Sequence, residues 1–214
     1  MKAGKLLSML AGAAVLVTTG ASGAVAKEAG DFLVRFRGIA VTPDSSGTTD
    51  AIGGQANVDE SYVPEVDFTY FFTDNIAAEL ILATTKHDVT VSGTTLPGDA
   101  DLGDVWLLPP TLTLQYHFMP KSSFSPYIGA GVNYTFFYNQ DGESAPVNSV
   151  EYEDGFGFAL QAGLDYQFGN NWSLNFDVKK IFLETDVKVN GGAINAKDVN
   201  IDPWIFGIGF GYTF

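Results

Sequence analysis

The sequence predicts an all-β chain, a transmembrane antiparallel eight-stranded up-and-down β-barrel of the bacterial outer membrane, and three observations lead there. Aromatic and aliphatic side chains recur at every second position over eight segments, charged and polar side chains occupy the positions between, and short and long connections alternate along the chain. Composition agrees. Of 214 residues 46% are hydrophobic and 17% charged, with 17 Phe, 9 Tyr and 24 Gly, a mixture of bulky and minimal side chains that suits strands with two unlike faces. Cysteine is absent, which removes disulfides, thiolate metal sites and a cysteine nucleophile together. The formal net charge of -14 excludes a nucleic-acid binder, which needs a positive face for phosphate.

The chain opens with Lys2 and Lys5, a largely apolar run from Leu6 to Val17, and the small-residue stretch Ala24-Val25-Ala26. This is the pattern of a secretory signal peptide over residues 1–26, with cleavage expected before Lys27 and the barrel over 27–214. The run is too short for a spanning helix, which needs about 20 apolar residues. An exported chain this aromatic either stays soluble outside or enters a membrane as strands.

The strands follow in order. Phe32, Val34 and Phe36 begin an even-numbered apolar face, and Tyr62, Val66, Phe68, Tyr70 and Phe72 continue it. Ile76, Ala78, Leu80 and Leu82 form the third set, and Leu108, Leu112, Leu114, Tyr116 and Phe118 the fourth. Ile128 to Tyr138, Phe156 to Phe168 and Trp172 to Val178 keep the phase. In the last, Trp204 to Phe214, the even positions are all large and apolar while the odd ones include Gly207, Gly209 and Gly211. Strict alternation means β-strands with one greasy face. Charge sits on the odd face, apart from Lys180.

A lipocalin-like soluble barrel and an outer-membrane barrel both use two unlike faces, and they differ in which face points out. The connections decide between them. Residues 73–75, 119–125 and 169–171 are tight, whereas 42–60, 87–104, 139–154 and 186–198 are long, as in outer-membrane barrels with periplasmic turns and external loops. Aromatic side chains crowding the strand ends match girdles at the two headgroup layers.

Several stretches resemble the outer membrane protein W family of Gram-negative bacteria. They are Phe32-Leu33-Val34-Arg35, Tyr70 to Ala77, Leu108-Pro109-Pro110-Thr111-Leu112, Gln115-Tyr116-His117-Phe118, Pro126 to Thr135, Leu174 to Val178, and Ile201-Asp202-Pro203-Trp204 leading to the terminal Phe214. The resemblance spans nearly the whole chain after residue 26. It implies an eight-stranded barrel in the outer membrane and a role in passing small hydrophobic compounds across it. Similar chains tend to carry an aromatic residue where this one has Lys180, whose stem can snorkel to the upper headgroups.

An eight-stranded barrel is just wide enough for its own side chains, so an open water channel is not expected. Odd positions near the outer ends are Ile39, Val41, Val63, Leu107, Phe137, Ile181 and Leu183, an apolar cup suited to a small hydrophobic ligand. Lower down stand Arg35, Arg37, Glu65, Asp67, Glu79, His117, Asp165 and Asp177, which can pair into a polar plug. Proline cannot donate to a strand ladder. Pro64, Pro109 and Pro110 all lie at the outer ends of strands two and four, where they are expected to weaken the ladders and leave a lateral exit into the bilayer, unless they only end strands. The rival reading is a structural or receptor barrel without transport.

No cofactor, metal site or catalytic residue is expected. His87 is placed at a loop start and His117 low in strand four, without metal-ligand spacing or a Ser-His-acid arrangement. Asn139 to Glu143 matches only part of a calcium loop. The long connections are acidic, with Asp44, Asp59, Glu60, Asp88, Asp104, Glu151, Glu153 and Asp154 among them, and could share divalent cations with lipopolysaccharide phosphates. Membrane lipid, lipopolysaccharide and, through Phe214, the outer-membrane assembly machinery are the expected partners.

Overall fold

The computed structural model of the protein describes residues 27–44, 55–92, 100–141, 149–169, 171–189 and 194–214. The signal segment expected over 1–26 lies outside the described residues, as do the middles of the four long connections. The described strands are β1 (Phe32–Thr42), β2 (Gln55–Val58), β3 (Ser61–Phe71), β4 (Ile76–Ala83), β5 (Thr85–Ser92), β6 (Ala100–Leu108) and β7 (Thr111–His117). They continue as β8 (Phe124–Asp141), β9 (Val150–Tyr152), β10 (Gly155–Phe168), β11 (Trp172–Val189), β12 (Ile194–Asn200) and β13 (Trp204–Thr213).

Antiparallel pairing runs β1-β3-β4-β7-β8-β10-β11-β13, and β13 returns to β1 from Leu33↔Thr213 to Thr42↔Trp204, which closes the ring. Closure leaves these eight strands without an edge through the lower and middle barrel, the condition for standing in hydrocarbon where no water can satisfy a backbone group. The alternation holds its phase right around. Phe36, Tyr62, Phe156, Phe158 and Phe210 face outward and are more than half exposed, while Arg35, Arg37, Asp67, Glu79, His117 and Asp165 are enclosed. An odd-to-even slip in β1, β3, β4, β10 or β11 would have turned charges to lipid.

Two expectations about the connections are corrected. The long ones are not wholly loops, because β5 and β6 carry the third and fourth crossings outward as a hairpin, β8 and β11 each reach 18 residues, and β2, β9 and β12 pair on these extensions. Above the membrane both faces of a strand can be polar, so the segments look like loops by composition. Pro109 and Pro110 likewise interrupt a long strand between β6 and β7 instead of ending one. Pro64 lies inside β3, close to its outer end.

The glycines of β13 answer to the bore. A Cβ on Gly209 would stand 2.1 Å from the Phe36 carbonyl oxygen and 2.8 Å from Arg37 Cγ, and one on Gly211 would stand 3.1 Å from Arg35 Cγ. The Phe36 carbonyl and Arg37 at Gly209, and Ser173 Oγ and Leu33 Cδ1 at Gly211, leave room for a hydrogen alone.

Candidate functional site

The bore has three levels. At the periplasmic end Leu33, Phe71 and Ala77 pack as a small apolar floor. Buried polar Gln167, Ser173 and Thr213 stand at the same height, and the charged residues form a middle level above them.

That middle level is a closed ion network. Arg35 Nη1 bonds to Asp67 Oδ1 at 2.9 Å and Glu79 Oε1 at 3.1 Å, and its Nη2 to Asp165 Oδ2 at 2.9 Å. Arg37 meets Glu65 through Nε at 2.7 Å, and Asp67 and Glu79 through Nη2 at 2.7 and 3.1 Å. Lys179 Nζ bridges Glu65 at 2.9 Å and Asp177 at 3.0 Å. Neutral side chains add further hydrogen bonds to the carboxylates. Gln115 and Gln161 donate to Glu79 Oε2 at 2.7 and 2.8 Å, and the Tyr127 hydroxyl donates to Asp177 at 2.7 Å. Four cations, Lys27, Arg35, Arg37 and Lys179, stand against five carboxylates, Glu65, Asp67, Glu79, Asp165 and Asp177, so the bore carries nearly all its own counterions.

Lys27, from the segment before β1, rises into this level. Its Nζ donates to Asp165 Oδ2 at 2.5 Å, to Ser125 Oγ at 3.2 Å and to His117 Nδ1 at 3.1 Å. Accepting at Nδ1 puts the imidazole proton on Nε2, which donates to Gln115 Oε1 at 3.1 Å. Sequence reasoning missed Lys27, which precedes the first strand, and Tyr127, whose odd position placed it inward although its aromatic ring suits a girdle.

Above the plug the bore turns apolar. Ile39, Val41, Leu107, Phe137, Ile181 and Leu183 form one cluster with Val89, Val105, Ala159 and Ile205, and Val63 packs against it. Phe137 stacks on Tyr152 at 5.5 Å and 16°. All seven residues predicted for the cup thus meet in one place. His87, expected at a loop start, belongs here instead. It is buried in β5 opposite Val105, and its Nδ1 donates to the Asp59 carbonyl at 2.8 Å. Lys86 and Asp104 pair on the outer face at this height, which marks it as the level of the headgroups. Burial in the cup holds the His87 pKa below the ordinary histidine value, so the ring is neutral near pH 7.

The wall around the cup is incomplete beside β4 and β5. The β3–β4 ladder ends at Glu65↔Ala83, and no rung joins residues 61–64 to 84–87 among the described residues. On its other side the ladder stops at Ile81↔Thr111 and resumes at Thr85↔Leu107. The three predicted prolines flank this one stretch, yet they differ. The carbonyls of Pro109 and Pro110 are covered by the Asn133 side chain at 3.2 and 3.4 Å, and the Tyr134 amide also donates to Pro110 at 3.1 Å. Pro64 borders the gap itself. Lys180, on the lipid-side face, reaches up to the Asp202 carbonyl at 2.6 Å and lies over Trp204.

The sequence profile of the OmpW family matches residues 28–214. The chain belongs to the OmpW family. Outer membrane protein W of Vibrio cholerae is 35% identical over 214 residues, covering 96% of this chain and 98% of the relative. The crystal structure of the outer membrane protein OprG from Pseudomonas aeruginosa superimposes with a TM-score of 0.80 at 36% identity, over 88% of this chain and 98% of that one. The dibenzothiophene metabolism operon protein PahQ of Pseudomonas aeruginosa is 30% identical over 163 residues, 76% of each chain. This OmpW-family barrel is an outer-membrane protein of Gram-negative bacteria, which fixes the orientation used above: greasy face to lipid, charged face to the bore.

Proposed function

We propose that the barrel takes small hydrophobic molecules into the apolar cup from outside and releases them sideways, through the gap beside Pro64, into the outer membrane. The observation that carries this is the stacking of an apolar cluster directly on a charged network, with the wall incomplete at the height of the cluster.

Magnitudes favour the sideways route. Transfer of apolar surface from water is worth roughly 25 cal/mol per Å2, so a ligand burying on the order of 200 Å2 gains about 5 kcal/mol in the cup. Descent would separate Arg35 and Arg37 from several carboxylates, and breaking even one buried pair costs about 3–5 kcal/mol. The side route crosses no ladder rung. The cup side chains pack on one another, so an entering molecule exchanges one apolar contact for another as they part. The dibenzothiophene operon named for one relative is consistent with cargo of this class.

The reading is non-enzymatic. Membrane lipid and lipopolysaccharide surround the barrel in it, and Phe214, whose ring is exposed on the outward face, is the signal we assign to the assembly machinery. The test is uptake of n-decane by liposomes carrying the purified barrel. Phe137→Asp with Leu183→Asp is expected to abolish uptake while the barrel keeps its heat-modifiable gel mobility. Uptake that survives both charges rejects the cup, and a wild-type barrel without uptake supports the structural or receptor reading.

A further inference from the structure

The gap in the wall is framed at both ends. Its lower end is the rung Glu65↔Ala83. Its upper end is a tie between the segment leading into β3 and the strand opposite: the Asp59 amide donates to the Asp88 carbonyl at 3.2 Å, and His87 Nδ1 donates to the Asp59 carbonyl at 2.8 Å. Immediately above, Val58↔Val89 begins the β2–β5 ladder. Between these ends stand two facing lips, Ser61–Pro64 and Thr84–His87. Four residues of strand make the opening roughly 13 Å tall at about 3.3 Å per residue.

We propose that His87 sets the girth of the molecules that leave by this opening, because its ring ties the two lips together at their upper end. The inference rests on the sideways-exit reading and adds its selectivity. Pro64 and His87 act in opposite senses. Pro64 has no N–H, so the lips cannot zip into a ladder at its position. His87 limits how far they part. Asp59 lies between two strands, outside any ladder, and above it β2 pairs with β5, so the tie is the link nearest the opening and extends the hold of that ladder down to its upper end. The ring is a firm anchor. It is 5% exposed, stands opposite Val105 across the β5–β6 ladder, and shares its face with Thr85 and Val89. A neutral imidazole tolerates that apolar setting, whereas a lysine or arginine of the same reach would not. The outward residues at the lips, Tyr62, Pro64 and Lys86, are exposed, which places the opening at the junction of headgroups and acyl chains. The class of cargo that follows is slender: unbranched chains and flat rings entering edge-on, with globular cage hydrocarbons held back.

The experiment compares n-decane with adamantane, a slender and a globular hydrocarbon, as uptake rates into liposomes. His87→Ala is expected to raise the adamantane-to-decane ratio about five-fold, the weight of one neutral hydrogen bond. The tie is then restored by other means. Val58 and Val89 are directly opposed, at a spacing a disulfide can bridge, and the chain has no cysteine to compete. Oxidised Val58→Cys/Val89→Cys in the His87→Ala background is expected to return the ratio to the wild-type value, and reduction to raise it again. Hydrogen exchange at the Asp59 amide gives a readout without transport, expected to quicken in His87→Ala. A ratio that stays at the wild-type value in His87→Ala overturns the proposal, as does Asp59 exchange that does not change. A wild-type barrel that moves neither probe defeats the sideways-exit reading and the selectivity with it. Wild-type uptake with an unmoved ratio defeats the selectivity alone.

Discussion

The plug and the cup are built on the same strands a few residues apart, and they are opposites in chemistry and in closure. Around the plug every neighbouring pair of strands is laddered and each charge meets at least one opposite charge across the bore. Around the cup the contacts are apolar and one stretch of wall has no rungs. Directional, paired interactions hold the lower barrel to one arrangement, whereas non-directional packing tolerates exchange of one apolar neighbour for another. The lesson is a division of labour: stability is concentrated in the charged lower bore, and the proposed passage falls where little depends on a specific pairing.

The contrast is open to attack at several points. The largest effect is expected from Arg35→Met, which strands Asp67, Glu79 and Asp165 around an apolar side chain. It should cost about 3–5 kcal/mol in urea unfolding of the refolded barrel, and a loss below about 1 kcal/mol would show that the plug is not the stabilising half. Next comes Gly209→Ala, whose added methyl meets the Phe36 carbonyl and the Arg37 stem. Overpacking of this kind costs about 1–3 kcal/mol, read as a lower midpoint in the same unfolding series. Lys27→Met is expected to do less to stability, because Asp165 keeps Arg35. It should instead raise ion conductance across planar bilayers by opening the periplasmic end, and unchanged conductance would relieve Lys27 of a sealing role. Smallest of all, Lys188→Ala removes an exposed pair with Glu153 on the outer extension and should leave both unfolding and uptake unmoved.

Much of this contrast was legible in residue parity. The odd-even rule assigned Arg35, Asp67, Glu79 and Asp165 to the bore and Phe36, Tyr62 and Phe158 to lipid, and it placed Ile39, Phe137 and Leu183 together although they come from three distant strands. A membrane makes parity this informative, because a slip costs every strand its apolar face. The outer hairpin of β5 and β6 was hidden for the same reason, since in water neither face must be greasy and Lys86, Asp88 and Asp104 look like loop residues. Lys27 was out of reach because it precedes the first strand. Tyr127 sat on an inward position but carries a side chain usual at the girdle. The frame of the side opening depends on how the segment at Asp59 meets His87, a pairing across 28 positions of sequence that no local pattern encodes.

The bare inner surface of β13 bears on how the ring is sealed. β1 and β13 meet along the closing seam, where Arg35 and Arg37 project from β1 toward the centre. A terminal strand with hydrogen atoms alone on that side at Gly207, Gly209 and Gly211 can slide along β1 to its register without steering around guanidinium groups. The seam is thus smooth on one side, and Gly211→Ser would be expected to reach the folded state more slowly in detergent refolding.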